Sequence, residues 1–181
     1  MKKLLIYLFG FLCSLSLQAQ FSKASVLASG LTCSLCSKAV KSALEQVPFV
    51  QTVDVDIKSQ EYQLTFKSGM QPDFDALKVA VEDAGFSVAS LKITGDFSNV
   101  KVEKDRHIRI GTDNFHFLKG FGKELNGEQT LTIVDKDFLP SKEYKRHSSM
   151  SKMECIRSGT AASCCEKDGI QPGARIYHVI I

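Results

Sequence analysis

Two thiols, Cys33 and Cys36, stand two residues apart in the stretch Gly30-Leu31-Thr32-Cys33-Ser34-Leu35-Cys36. Deprotonated, such a pair chelates a soft, thiophilic metal ion, and the same pair can cycle between dithiol and disulfide. Which chemistry is favoured depends on the elements that hold them. Upstream, Ala24, Val26 and Ala28 alternate with Ser25 and Ser29, the pattern of a half-buried strand that Gly30 ends. Downstream, Leu35, Ala39, Val40, Ala43, Leu44 and Val47 fall on one helical face that Pro48 terminates. The thiols therefore straddle a loop and a first helical turn, where unpaired amides and the positive end of the helix dipole favour thiolate over thiol.

A second group of chemically capable residues lies near the carboxy terminus: Cys155, Cys164 and Cys165, with His147, Met150 and Met153 shortly before. Thiolate, imidazole and thioether groups in one segment could make a second soft-metal site. The reading preferred on spacing is a disulfide from Cys155 to Cys164 or Cys165, stapling a long loop in a small exported domain. His107, His116 and His178 fall in expected strands and read as partly exposed sheet residues. The run Lys142 to His147 reads as a solvated loop or strand end. Gly120 and Gly122 lack the rest of a dinucleotide fingerprint, and the Ser and Asp spacing suggests no hydrolytic triad. The chain carries no enzyme signature and is expected not to be an enzyme.

The first nineteen residues read as a secretory leader, with Lys2 and Lys3 ahead of an apolar run from Leu4 to Leu17 and a cut after Ala19. That run is shorter than the roughly 20 residues a membrane span requires, so the mature protein is expected to be exported, to a periplasm or outside the cell, without a span. Of the six cysteines, Cys13 lies in the leader, which leaves an odd number for an oxidising compartment. At least one thiol must then be free, metal-bound or paired with another molecule. The formal charge of +3 includes Lys2 and Lys3, so the mature chain has no global electrostatic drive toward nucleic acid.

Beyond the first helix, Val53, Val55 and Ile57 form a strand, and Tyr62, Leu64 and Phe66 its antiparallel partner. Pro72, Asp73 and Asp75 open a second helix bearing Phe74, Leu77, Val81 and Ala84, with Gly85 at its end. Phe86, Val88 and Leu91 to Ile93 give a fourth strand, so the order is β-α-β-β-α-β, the split arrangement of the ferredoxin-like fold. After residue 97, short strands are expected at 99–103, 107–110, 115–118, 130–134 and 174–181, with Asn126-Gly127 as a hairpin turn. The expected class is α+β: a ferredoxin-like domain over 23–94, then a small β-rich domain over 97–181, in form an OB-like barrel.

The motif Gly-x-Thr-Cys-x-x-Cys at the first strand to helix junction, with the Asp83-Ala84-Gly85-Phe86 turn, resembles the heavy-metal-associated domain family, from about Lys23 to Ile93. This family includes domains of copper chaperones, copper-pumping ATPases and the periplasmic mercury-binding protein. The resemblance implies that Cys33 and Cys36 are metal ligands and that Phe86 packs beside the metal loop. Leu31 stands where members commonly have Met, which keeps an apolar anchor beneath the loop.

Two thiolates suit Cu(I) or Hg(II), which accept few soft ligands, better than Zn(II), which usually takes four protein ligands. Cu(I) is the expected ion, with Hg(II) and Zn(II) as alternatives. The chain is thus expected to be an exported Cu(I) carrier or sequestering protein. Its partner would be a metal-donating or metal-accepting protein, for instance a membrane copper transporter. A thiol-disulfide oxidoreductase or redox-regulated protein is the competing expectation, and mercury scavenging a variant of the first.

Overall fold

The computed structural model describes residues 20–56 and 58–181. The segment expected to be a leader, with Cys13, and Ile57 lie outside the described residues. Strand β1 (Gln20–Ser29) buries Phe21, Ala24, Val26 and Ala28 on one face. Helix α1 (Ser34–Glu45) lays Val40 and Leu44 on the sheet, and β2 (Val50–Asp56) and β3 (Glu61–Phe66) form the expected antiparallel pair.

Helix α2 (Phe74–Asp83) begins at Asp73, whose carboxylate accepts from the amides of Asp75 and Ala76. Its end is a Schellman motif: the Gly85 amide donates to the Glu82 carbonyl and the Phe86 amide to the Val81 carbonyl. Gly85 carries φ +88°, the left-handed conformation this motif requires. Strand β4 (Ser87–Lys101) then pairs with β1, giving the order β2-β3-β1-β4 of the ferredoxin-like split arrangement.

The rest of the chain extends this same sheet. Strands β5 (His107–Ile110), β6 (Asp113–Phe117), β7 (Glu124–Ile133) and β8 (Ile176–Ile180) follow β4 in the spatial order β7-β8-β6-β5. All neighbours are antiparallel except β6 and β8, which are parallel. Between β7 and β8 lie helix α3 (Ser141–Ser148), the single turn α4 (Cys155–Ser158) and a 3-10 helix, Ser163–Asp168.

Three expectations for this region are corrected. The strands after residue 97 do not close an OB-like barrel; among the described residues the ladder runs open from β2 at one edge to β5 at the other. The reason lies in β4, whose 15 residues are long enough to serve β1 on one side and β7 on the other. Asn126-Gly127 is not a hairpin turn but sits within β7, opposite a bulge in β4 at Ser98 and Asn99. Asn99 has φ +53° and its amide donates to Asn126 Oδ1 at 2.8 Å, so residues suited to a tight turn serve a bulge instead. The run Lys142 to His147 is helical, with Glu143 in its first turn and Lys145, Arg146 and His147 in its last, as the helix dipole favours.

The sheet curls around one core. Strands β1 and β6 are four places apart, which in a flat sheet with about 4.8 Å per strand would separate them by about 19 Å. Yet the rings of Phe21 and Phe115 have centroids 5.4 Å apart. Phe74 of α2 meets Tyr177 of β8 at 5.3 Å, edge to face. Polar contacts follow the same path: Arg175 Nε donates to Asp75 Oδ2 at 2.7 Å, and Gln71 donates to Asp113 at 2.8 Å. The position chosen from sequence as a domain boundary, 94–97, lies inside β4, and a single buried cluster runs across it.

Candidate functional site

Cys33 and Cys36 sit where the sequence places them, at the junction of β1 and α1. Cys33 is the residue that starts the helix: its backbone is extended (φ −151°, ψ 161°), and its Sγ accepts from the Cys36 amide at 3.3 Å. A thiol thus takes the capping position usually held by Ser, Thr, Asp or Asn, and it is polarised by an unpaired amide of the first turn. Hydrogen bonding to the Cys33 side chain, and next to the Thr32 backbone, holds the Cys36 thiol below its usual value. Cys33 is exposed and Cys36 half-buried, so both sulfurs can meet a partner from outside.

The loop is supported from below. Leu31 and Phe86 both pack against the core, and a Cβ placed on Gly30 would lie 3.8 Å from the Phe86 ring. The Gln60 side chain donates to the Leu31 carbonyl at 3.3 Å, and the Tyr62 hydroxyl donates to the Ser37 carbonyl at 3.2 Å. A shallow cleft of about 250 Å³ opens beside Cys33, lined by Leu31, Thr32, Ser34, Ser37 and Gln60. Leu35, between the two thiols, is 75% exposed, an apolar residue presented next to the site. Two soft donors on an open loop suit a d10 ion of low coordination number.

The carboxy-terminal cysteines are brought together, but not as a cross-link. All five cysteines among the described residues are free thiols, so the expected disulfide from Cys155 to Cys164 or Cys165 is not formed. The three sulfurs lie within 4.8 Å of one another. Two of them, Cys155 and Cys165, also reach an imidazole at 3.5 Å, and the third, Cys164, reaches Cys165 at 3.5 Å. Burial pushes the Cys155 and Cys165 thiols up; at Cys164 the same effect is outweighed by hydrogen bonds, led by one from the Cys155 backbone, and the net shift is downward.

The imidazole in this cluster is His107, not His147. His147 is buried on α3, Met150 is exposed, and Met153 packs against the thiol cluster. The reading of His107, His116 and His178 as partly exposed is corrected: all three are buried, His116 at 1% and His178 at 0% exposure. They lie in register across neighbouring strands, His107 opposite His116 and His116 opposite His178. A buried aspartate holds each end of the row, Asp168 on His107 Nδ1 at 2.8 Å and Asp135 on His178 Nδ1 at 2.6 Å. Desolvation first, and the neighbouring histidines next, lower the His116 pKa to about 3. One signal for this burial is present in the chain: His116 and His178 each interrupt an otherwise apolar run, the pattern of a strand covered on both faces.

Known proteins similar to this chain match its amino-terminal half. The family model described as the heavy-metal-associated domain matches residues 25–87. Copper-transporting ATPase 1 of Rhizobium meliloti (strain 1021) is 36% identical over 66 residues, which are 36% of this chain and 8% of that protein. Mercuric reductase of Shigella flexneri is 41% identical over 58 residues, 32% of this chain and 10% of that protein. The chain therefore spans a tenth or less of the length of these curated relatives. Among solved structures, oxidized MerP from Ralstonia metallidurans CH34 is 35% identical, with 39% of this chain and 96% of that chain covered and a TM-score of 0.32. With its paired thiols at the head of α1 and its β2-β3-β1-β4 sheet, the segment 25–87 is a heavy-metal-associated domain.

Proposed function

We propose that this chain is an exported carrier of a soft metal ion, Cu(I) in the first place, held as cargo by Cys33 and Cys36. The observation that carries the reading is the capping geometry: one exposed thiol on the helix-starting position and a second, with lowered pKa, one turn on. The similarity of residues 25–87 to a copper-transporting ATPase supports copper as the ion. Transfer needs an incoming thiolate to add before an outgoing one leaves, which an open loop permits and a closed cage does not. The partner is then a protein that presents cysteines of its own, such as a membrane copper transporter, with the exposed Leu35 as an apolar contact beside the thiols.

Carriage, not catalysis, is the role assigned, and export rests on the leader at residues 1–19. Among the described residues no helix is long and apolar enough to cross a membrane. The similarity to a mercuric reductase favours Hg(II) as a second cargo for the same thiol pair.

Anaerobic titration of the reduced protein with Cu(I) against a competing chelator tests the reading. The expected result is one tight equivalent that disappears when Cys33→Ser and Cys36→Ser are combined. Unchanged copper stoichiometry in that variant would overturn it, and so would ready reduction of partner disulfides by a pair that takes up no copper.

A further inference from the structure

The carboxy-terminal thiols meet where three elements converge. Cys155 begins α4, Cys164 and Cys165 lie in the 3-10 helix, and His107 begins the edge strand β5. Cys155 and Cys165 are 0% exposed, and the wall around them is apolar, with Ala161 and Ile176 in contact and Met153 over it. His107 Nε2 lies 3.5 Å from Cys155 Sγ and 3.5 Å from Cys165 Sγ. Cys164 Sγ lies 3.5 Å from Cys165 Sγ, and the three sulfurs fit within a 4.8 Å span.

These separations discriminate among the chemistries open to three thiols and an imidazole. A disulfide brings two sulfurs to about 2.05 Å. Two thiolates on opposite sides of a linear ion, at about 2.3 Å each, would stand about 4.6 Å apart. Around a tetrahedral ion, with sulfur at about 2.3 Å and imidazole nitrogen at about 2.0 Å, neighbouring donors stand about 3.5 to 3.8 Å apart. Three donor pairs stand at 3.5 Å, His107 to Cys155, His107 to Cys165 and Cys164 to Cys165, and these agree with the tetrahedral case.

The second nitrogen of His107 points the same way. Asp168 Oδ2 accepts from Nδ1 at 2.8 Å and from the His107 backbone amide at 3.0 Å, so the proton sits on Nδ1 and the bare Nε2 faces the sulfurs. A carboxylate behind an imidazole whose far nitrogen meets thiols is the arrangement that orients metal-bound histidines. A thiol that coordinates a divalent ion is deprotonated outright.

We propose that Cys155, Cys164, Cys165 and His107 form a second metal site, closed and tetrahedral, that holds Zn(II) as a structural ion. Three thiolates, one imidazole and no open position are the donor set of structural zinc, and they leave a buried charge of −1, smaller than Cu(I) would leave. Each thiol releases a proton to solvent as its sulfur binds, and no electron is exchanged. The ion ties the edge strand β5 to the segment between α3 and β8. It supplies the staple that a disulfide was expected to provide.

The site is independent of Cys33 and Cys36, so the test uses the full chain with Cys33→Ser and Cys36→Ser. Purified reduced in buffer containing zinc, it is expected to retain one Zn per chain by elemental analysis. Zinc-edge X-ray absorption is expected to show three sulfurs and one nitrogen, and Co(II) in place of zinc to give the intense visible bands of a tetrahedral thiolate site. Absence of bound zinc, an oxygen-dominated shell, or a mass two hydrogens short among the last three cysteines would overturn the proposal. Because a hydroxyl at the fully buried Cys155 also disrupts the core, Cys164→Ser at the half-buried position is the decisive variant. It is expected to fold, by circular dichroism, and to lose one sulfur from the shell; an unchanged sulfur count removes Cys164 from the site and overturns the four-ligand assignment.

Discussion

One carboxylate oxygen of Asp168 accepts twice from His107, from the ring Nδ1 at 2.8 Å and from the backbone amide at 3.0 Å. The two residues are 61 positions apart, and the Asp168 side chain is almost fully buried. This double contact fixes both the strand end and the ring orientation. Asp168→Asn is therefore expected to weaken zinc retention by about 10- to 100-fold, the range for a lost partner behind a metal-bound histidine. Competition with a zinc chelator measures it, and Cu(I) uptake at Cys33 and Cys36 serves as the unaffected control.

The aromatic cluster packs the two halves of the chain against each other, so they are expected to unfold as one cooperative unit. Phe115 of β6 is fully buried and contacts Phe21, Phe74 and Tyr177. Phe115→Ala is expected to cost about 3–5 kcal/mol of unfolding free energy and to keep a single transition. The chain has no Trp, so urea unfolding is followed by far-ultraviolet circular dichroism. Two separate transitions, with only the second shifted, would show that residues 25–87 fold on their own.

Cys36 is expected to be the most readily alkylated thiol among Cys36, Cys155 and Cys165. Its pKa is lowered, first by the Cys33 side chain, whereas burial raises the other two. In reduced, metal-free protein at pH 7, iodoacetamide should mark Cys36 well before either, as peptide mass mapping reads out. As pH falls, its reactivity should persist into the range where an ordinary thiol of pKa about 8.5 has gone silent.

His147 gives a pH dependence to stability. Desolvation first, then the charges of Arg146 and Lys119, lower its pKa below 6.5. The unfolded chain then binds the proton more readily, so this contribution is fully present above pH 6.5 and is lost as pH falls through the folded value. The loss is at most about 1.4 kcal/mol per pH unit for one group. Urea midpoints for the wild type and His147→Gln are expected to converge as pH drops from 7.5 to 5, because the variant lacks that proton.

The amino-terminal half was legible because its signals are local. Alternation in β1, the apolar stripe of α1, the Asp73 cap and the Gly85 turn each act within a few residues, and each appears where the pattern places it. The same holds for the positions of β5, β6 and β8, read from short apolar runs. What those runs did not carry was pairing: a parallel β6 and β8, or a β4 long enough for two partners, depends on elements far apart in the chain.

Sequence alone determined the paired thiols at the head of a helix, the βαββαβ order and the soft-metal chemistry that follows, since spacing, capping and periodicity are properties of contiguous residues. Only the tertiary structure decided that the later strands continue the same sheet, and that the partner of Cys155 and Cys165 is His107 rather than His147. His107 is 48 residues from Cys155 and 58 from Cys165, and a contact of that span exists only once strand, turn and 3-10 helix are packed on a common core. Whether a histidine is wet or buried is likewise set by what covers the strand: the apolar runs around His116 and His178 signal a covered strand, but which elements cover it is decided only on packing.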